Sequence, residues 1–204
     1  MESIVENTPH WAQWLLFAPL GAVLVVAAIT DWNERKIYNW LTYPAVIVGL
    51  VLHTVVFGLS GLITGAVTLV VIIVLGLFLL PLGWLGGGDI KLFGVIGATL
   101  GPAALFEVFF YSVFVGCVIG ICLSAVNGYL WVMLKRLGRF LKSLFLTVTT
   151  RTNLASNVET DDRAYLPFAI PILIGAVLAT TDVYLQWPLF MDWMREGMAA
   201  IARR

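Results

Sequence analysis

The sequence has little charge. Only 12% of its 204 residues are Asp, Glu, Lys or Arg, while 60% are hydrophobic; soluble domains carry roughly 25% charged residues. That scarcity excludes an ordinary soluble domain, and a mean hydropathy of +0.95 reads as an integral membrane protein. No excess of either sign is present. Twelve basic residues balance twelve acidic ones, so no global field points to a nucleic-acid partner. Cysteine is almost absent: Cys117 and Cys122 lie in an apolar run and no Cys-x-x-Cys pair occurs, which excludes a zinc ribbon or thiol redox motif. His10 and His53 stand alone and read as interfacial or internally satisfied side chains, without a role as ligands. The first apolar run lacks a basic segment before it and a small-residue cleavage site after it, so it reads as a retained helix and not as a removed signal peptide. No internal repeat or low-complexity tract is present.

What remains is a series of long apolar runs. Trp11 and Trp14 open the first and suit the aromatic belt at a bilayer surface. From Ile37 to Gly88, 52 residues pass with no Asp, Glu, Lys or Arg. At about 20 residues per crossing that length holds two helices, with Gly58-Leu59-Ser60-Gly61 as the turn and Pro81 ending the second. The expected spans are 11–30, 39–57, 61–80, 91–104, 106–133 and 165–185. The fourth is short and interrupted at Gly101-Pro102; short or broken helices at membrane depth line a cavity or lean on other protein. Residues 135–163 are the one sizeable polar segment, and 139–148 within it read as an amphipathic surface helix. The fold class is therefore all-α, a polytopic membrane protein of about six helices in one domain over 1–204.

Lysine and arginine fix the orientation. Nine of the twelve fall in the 31–38 loop, at Lys91 or in 135–163; Arg195, Arg203 and Arg204 make up the rest. The first group is assigned to the cytoplasm, which puts both termini outside.

Two acids then draw attention. Asp31 closes the first span and Asp89 opens the fourth, behind Gly86-Gly87-Gly88. Glycines there permit a tight turn and close approach of another backbone, and a carboxylate at a membrane edge is costly unless solvated, paired or used. If the two helices pack together, the carboxylates meet. Two close carboxylates share a proton and titrate as a pair, supplying a base for water and an acid for an amide nitrogen. That chemistry needs no metal and no cofactor. The plainer alternative makes both acids ordinary interfacial anions beside Arg35 and Lys91, with Asp89 a helix N-terminal anion near the positive dipole end.

The residues around these acids carry a resemblance. Asp31 with Arg35-Lys36-Ile37, Asn39 and Leu41-Thr42 resembles the first-aspartate region of type IV prepilin peptidases. Gly86-Gly87-Gly88-Asp89-Ile90-Lys91-Leu92 is similar to their GxGD-x-K segment, followed by Gly97, Leu100 and Gly101-Pro102. Pro167-Phe168-Ala169-Ile170-Pro171 is similar to the proline-flanked start of their last helix. The four stretches keep the family's order over about residues 14–185. The resemblance implies a six-helix aspartyl protease of the cytoplasmic (inner) membrane, its site facing the cytoplasm, that removes the leader of type IV pilin-like precursors. Such substrates have a basic leader, a glycine before the cut and a hydrophobic helix after it; the bilayer is the other partner. Carried over by residue, Asp31 and Asp89 are the catalytic pair, Lys91 orients or tunes Asp89, and Gly86, Gly88, Arg35, Asn39, Pro167 and Pro171 shape the site. Two departures stand out. The family's Ile-Pro-Asn is here Ile37-Tyr38-Asn39, which leaves the entry to the second span less defined. The paired Cys-x-x-Cys insertion of larger members is missing, so a peptidase without N-methyltransferase activity is expected.

Other classes make different demands. A small proton-coupled transporter with Asp31 and Asp89 as relay groups is the alternative function, and calls for acids near mid-bilayer and often for internal repeats. A metal-dependent lipid-processing enzyme calls for several clustered carboxylates or a histidine, and a presenilin-type protease for Tyr-Asp and Pro-Ala-Leu signals. The sequence shows no acid near mid-bilayer and no repeat, sets a single acid in each of the two motifs beside the spans, and carries neither presenilin-type signal. Glu159, Asp161 and Asp162 read as a solvated loop cluster that also suits a basic leader.

Overall fold

The computed structural model describes residues 8–80, 86–126 and 168–185. Pro81, residues 127–133 of the fifth expected span, the 135–163 segment with its surface helix, the acids Glu159, Asp161 and Asp162, and Pro167 lie outside the described residues. Among the described residues all regular structure is helical: α1 (His10–Glu34), α2 (Asn39–Leu79), α3 (Gly87–Val126) and α4 (Ala169–Leu185). Three of the four are long and apolar enough to cross a membrane, and α4 is a shorter apolar helix. The chain divides into two compact units, residues 1–115 with 167–204, and residues 116–166. Of the second, the described part is 116–126, which is helical throughout.

In α1 the buried positions are Ala12, Gln13, Leu16, Leu20, Leu24, Ala27, Ala28 and Asp31. Their spacing of three and four residues is one helical face, and Asp31 is its last member. Outward from it stand Val25, Val26, Ile29 and Trp32, all exposed. The helix ends where Arg35 turns left-handed (φ 55°, ψ 35°) and its N–H donates to the Asp31 carbonyl at 3.0 Å, a helix-terminating bond that needs a residue in this conformation.

The 36–38 connection enters α2 through Tyr38. Its carbonyl accepts the Leu41 and Thr42 N–H groups, each at 3.2 Å, and its own backbone is extended (φ −78°, ψ 141°). That φ lies within the range a proline would impose, so tyrosine here adopts the conformation that the missing proline would have fixed. Helix α2 is broken once, at Gly58 (φ 66°, ψ −153°), inside the turn expected at 58–61. The arms on either side fold back on each other: a Cβ on Gly61 would stand 2.6 Å from the His53 carbonyl, and one on Gly65 3.1 Å from Leu50 Cδ2.

Helix α3 is broken in the same way at Gly101 (φ 78°, ψ −176°), followed by Pro102. Its second arm starts at the proline and not at 106, because proline lacks only an N–H that a first helical turn leaves unpaired in any case. The first arm is the centre of the bundle: Leu92 through Leu100, nine consecutive residues, are all buried. A helix apolar and buried on every side is surrounded by protein, so the short fourth segment does lean on its neighbours. Hydrocarbon tails give helices no water-driven reason to associate, so close packing has to hold them. A Cβ on Gly97 would stand 2.8 Å from Thr68 Cγ2, and one on Gly49 would collide with Thr99. His53, itself buried, hydrogen-bonds through Nδ1 to the Thr99 carbonyl at 2.8 Å, beside the break at Gly101. Helix α4 buries Ala169, Ile172, Ala176 and Ala179, and Gly175 gives it close access to Ser112 of α3.

Candidate active site

Both acids singled out in the sequence sit at helix ends. Asp31 closes the buried face of α1 and is 3% exposed. Its Oδ2 accepts the backbone N–H of Ala169, the first residue of α4, at 3.1 Å. Asp89 lies in the first turn of α3 and is half-buried. The Gly86 carbonyl accepts the N–H groups of Asp89 and Ile90 at 3.1 and 3.3 Å, while the Asp89 carboxylate reaches back to accept the Gly86 N–H at 3.1 Å. This reciprocal arrangement closes the helix start on itself. The two carboxylates lie within electrostatic reach of each other. Helices α1 and α3, 58 positions apart at these residues, are thus arranged so that their acids interact.

The surrounding residues hold this geometry. A Cβ on Gly88 would come within 2.9 Å of Ile37 Cδ1, so the glycine lets the 36–38 connection lie against the turn carrying Asp89. Lys91 donates from Nζ to Asn39 Oδ1 at 2.7 Å. Its ammonium therefore ties the start of α2 to the first turn of α3, where the resemblance implied that it orients or tunes Asp89. Gly86 and Arg35 are exposed; Arg35 acts through its backbone as the end of α1. Pro171, third in α4, is fully buried. The Tyr38 hydroxyl bonds the Glu34 carboxylate, and that bond, with the negative charge nearby, holds the phenol above its usual range. The residue that sequence reading missed is Ala169. Only its place between two prolines marked the stretch, since a backbone N–H has no residue type of its own.

Two carboxylates within electrostatic reach of each other, each accepting a backbone N–H, are therefore set at facing helix ends. Among the described residues no three His, Cys, Asp or Glu side chains come together.

Comparison with known proteins places this geometry in context. A family model described as the type IV leader peptidase family matches residues 18–121, a stretch that holds Asp31, Asn39, Asp89 and Lys91. A prepilin leader peptidase/N-methyltransferase of Bacillus subtilis (strain 168) is 31% identical over 102 residues, which are 48% of this chain and 40% of that protein. The chain therefore matches less than half the length of this curated relative. No solved structure matches the chain.

Proposed function

Because the chain belongs to the type IV leader peptidase family, we propose that it is a membrane aspartic endopeptidase that removes leader peptides from type IV pilin-like precursors. The observation that carries this reading is the placement of two acids, buried Asp31 and half-buried Asp89, at the ends of α1 and α3 within electrostatic reach of each other. In this mechanism the pair shares one proton. The ionised carboxylate draws a proton from a water molecule as it attacks the scissile carbonyl, and the protonated one donates to the departing amide nitrogen. Gly86 and Gly88 shape the turn, Arg35 and Asn39 shape the facing connection, Lys91 locks the two together, and Pro167 and Pro171 frame the start of α4.

The proposed setting is the cytoplasmic membrane. The chain crosses it six times, each arm of α2 and α3 counting once, with the site at the cytoplasmic face and both termini outside. Nine of twelve lysines and arginines on the site's side support that orientation. Substrates are prepilin-like proteins with a basic leader and a hydrophobic helix. Peptide cleavage without N-methyl transfer is proposed, since no Cys-x-x-Cys pair occurs in the 204 residues.

Co-expression with a prepilin-like substrate in membranes tests this directly. The parent is expected to shorten the substrate, and Asp31→Asn and Asp89→Asn each to abolish shortening at equal expression. A variant that cleaves at the parental rate would remove that aspartate from the mechanism. A parent that cuts no such substrate, but moves protons across the membrane through the same two acids, would replace the peptidase with the transporter.

A further inference from the structure

Asp31 stands at the wrong end of its own helix. It lies in the last turns of α1, where the macrodipole is negative and disfavours an anion. The group that offsets this comes from another element. Helix α4 begins at Ala169, and in its first turn the Ile172 N–H is already taken by the Phe168 carbonyl at 3.1 Å, while Pro171 has no N–H at all. Two free donors remain, those of Ala169 and Ile170, at the positive end of the α4 dipole. The Ala169 N–H donates to Asp31 Oδ2, and both residues are buried, Ala169 at 0% and Asp31 at 3% exposure.

We propose that the Ala169 backbone N–H is a positioning group of the catalytic pair: it aims Asp31 through a bond to Oδ2, so that Asp31 is the partner that activates water. The inference rests on the peptidase reading above. A buried hydrogen bond from a fixed donor to a carboxylate favours the charged form and is among the stronger kinds. Other titratable groups on the neighbouring elements are Asp89 and Lys91 in the first turn of α3, Tyr38 and Lys36 in the connection to α2, and Glu34 and Arg35 at the end of α1, with Tyr43 and His53 further along α2 and Glu107 and Tyr111 further along α3. The described first turns of α4 bring none, so its contribution to Asp31 is the N–H and the dipole.

An ester bond in place of the 168–169 peptide tests this: it removes the Ala169 N–H and also weakens the Phe168 carbonyl that accepts the Ile172 N–H. Lactic acid is incorporated at position 169 by nonsense suppression, in the full chain and in nanodiscs. Alanine delivered by the same suppressor tRNA is the reference, and cleavage of a prepilin-like substrate is followed against pH. Loss of the donor raises the pH at which the base is lost to protonation. The acid limb of kcat is expected to move up by about one pH unit, with KM changed less than about twofold. An acid limb that stays in place overturns the proposal. A second measurement on the unaltered backbone guards against misfolding of the ester. With alanine labelled by nitrogen-15, the Ala169 amide resonance is expected to follow a carboxylate titration and to lose that dependence in Asp31→Ala; a pH-silent amide also overturns the proposal. The two readings fail separately. Asp31→Asn that still cleaves removes the catalytic reading, whereas an inactive Asp31→Asn with an unshifted ester profile removes only the role of Ala169.

Discussion

Lys91 and Asn39 show how single residues secure the site. Fifty-two positions apart, they are joined by one hydrogen bond from an ammonium to an amide oxygen, and it fastens the helix bearing Asp89 to the start of α2. Both side chains have solvent access, so the bond is modest. A double-mutant cycle of Lys91→Ala and Asn39→Ala, read by reversible unfolding in mixed micelles, is expected to give a coupling of about 0.5–1 kcal/mol. A cycle that closes at zero would mean that the contact does not hold in the membrane. At this scale the sequence was informative wherever a charged residue interrupted an uncharged run, because each such interruption is costly at a membrane face and needs a reason. Asp31, Asp89 and Lys91 were all legible on that ground. The direction of Lys91 was not, since spacing along a helix places a side chain on a face but does not choose its partner. Nor was Ala169, whose contribution is made by an atom that every residue except proline possesses.

The helices break where their glycines allow it, and the breaks decide which arms meet. Gly58 and Gly101 hold backbone conformations with positive φ and ψ near 180°, a region that is essentially closed to other residues and costs of order 1–3 kcal/mol to occupy. Gly21, in the middle of α1, has no atom within 4 Å of where a Cβ would go and no positive φ. Opposite effects are therefore expected from one substitution: Gly101→Ala should lower stability by about 1–3 kcal/mol, and Gly21→Ala should raise it by about 0.5–1 kcal/mol, both by unfolding in micelles. Equal effects at the two sites would show that the break at Gly101 is not retained. Both breaks could be anticipated, one from the length of the uncharged run and the other from Gly101-Pro102. The complete burial of the first arm of α3 could not. In a membrane sequence a residue facing lipid and a residue facing protein are equally apolar, so periodicity loses the contrast that reveals a buried face in water.

Across the whole molecule the remaining question is which face of the bilayer holds the site. With Cys117 and Cys122 replaced by serine, Asn33→Cys is expected to react with an impermeant maleimide only after cells are opened, and Ser60→Cys before. The reverse pattern would place the two acids outside and end the reading of cytoplasmic cleavage. Membership of the family and membrane character followed from the order of four short motifs and from the scarcity of charge. The contacts that assemble the site join α1 with α4 and α2 with α3, and no stretch read alone contains them. The buried run from Leu92 to Leu100 has one more consequence. Lipid reaches this arm only through its neighbours, so the depth of Asp89 is set by the length of the protein around it and not by acyl chains. Helix α1, by contrast, presents Val25, Val26 and Ile29 outward, where a thicker or thinner bilayer can tilt it. Hydrophobic mismatch would then act on the two acids unequally, reaching Asp31 directly and Asp89 only at second hand.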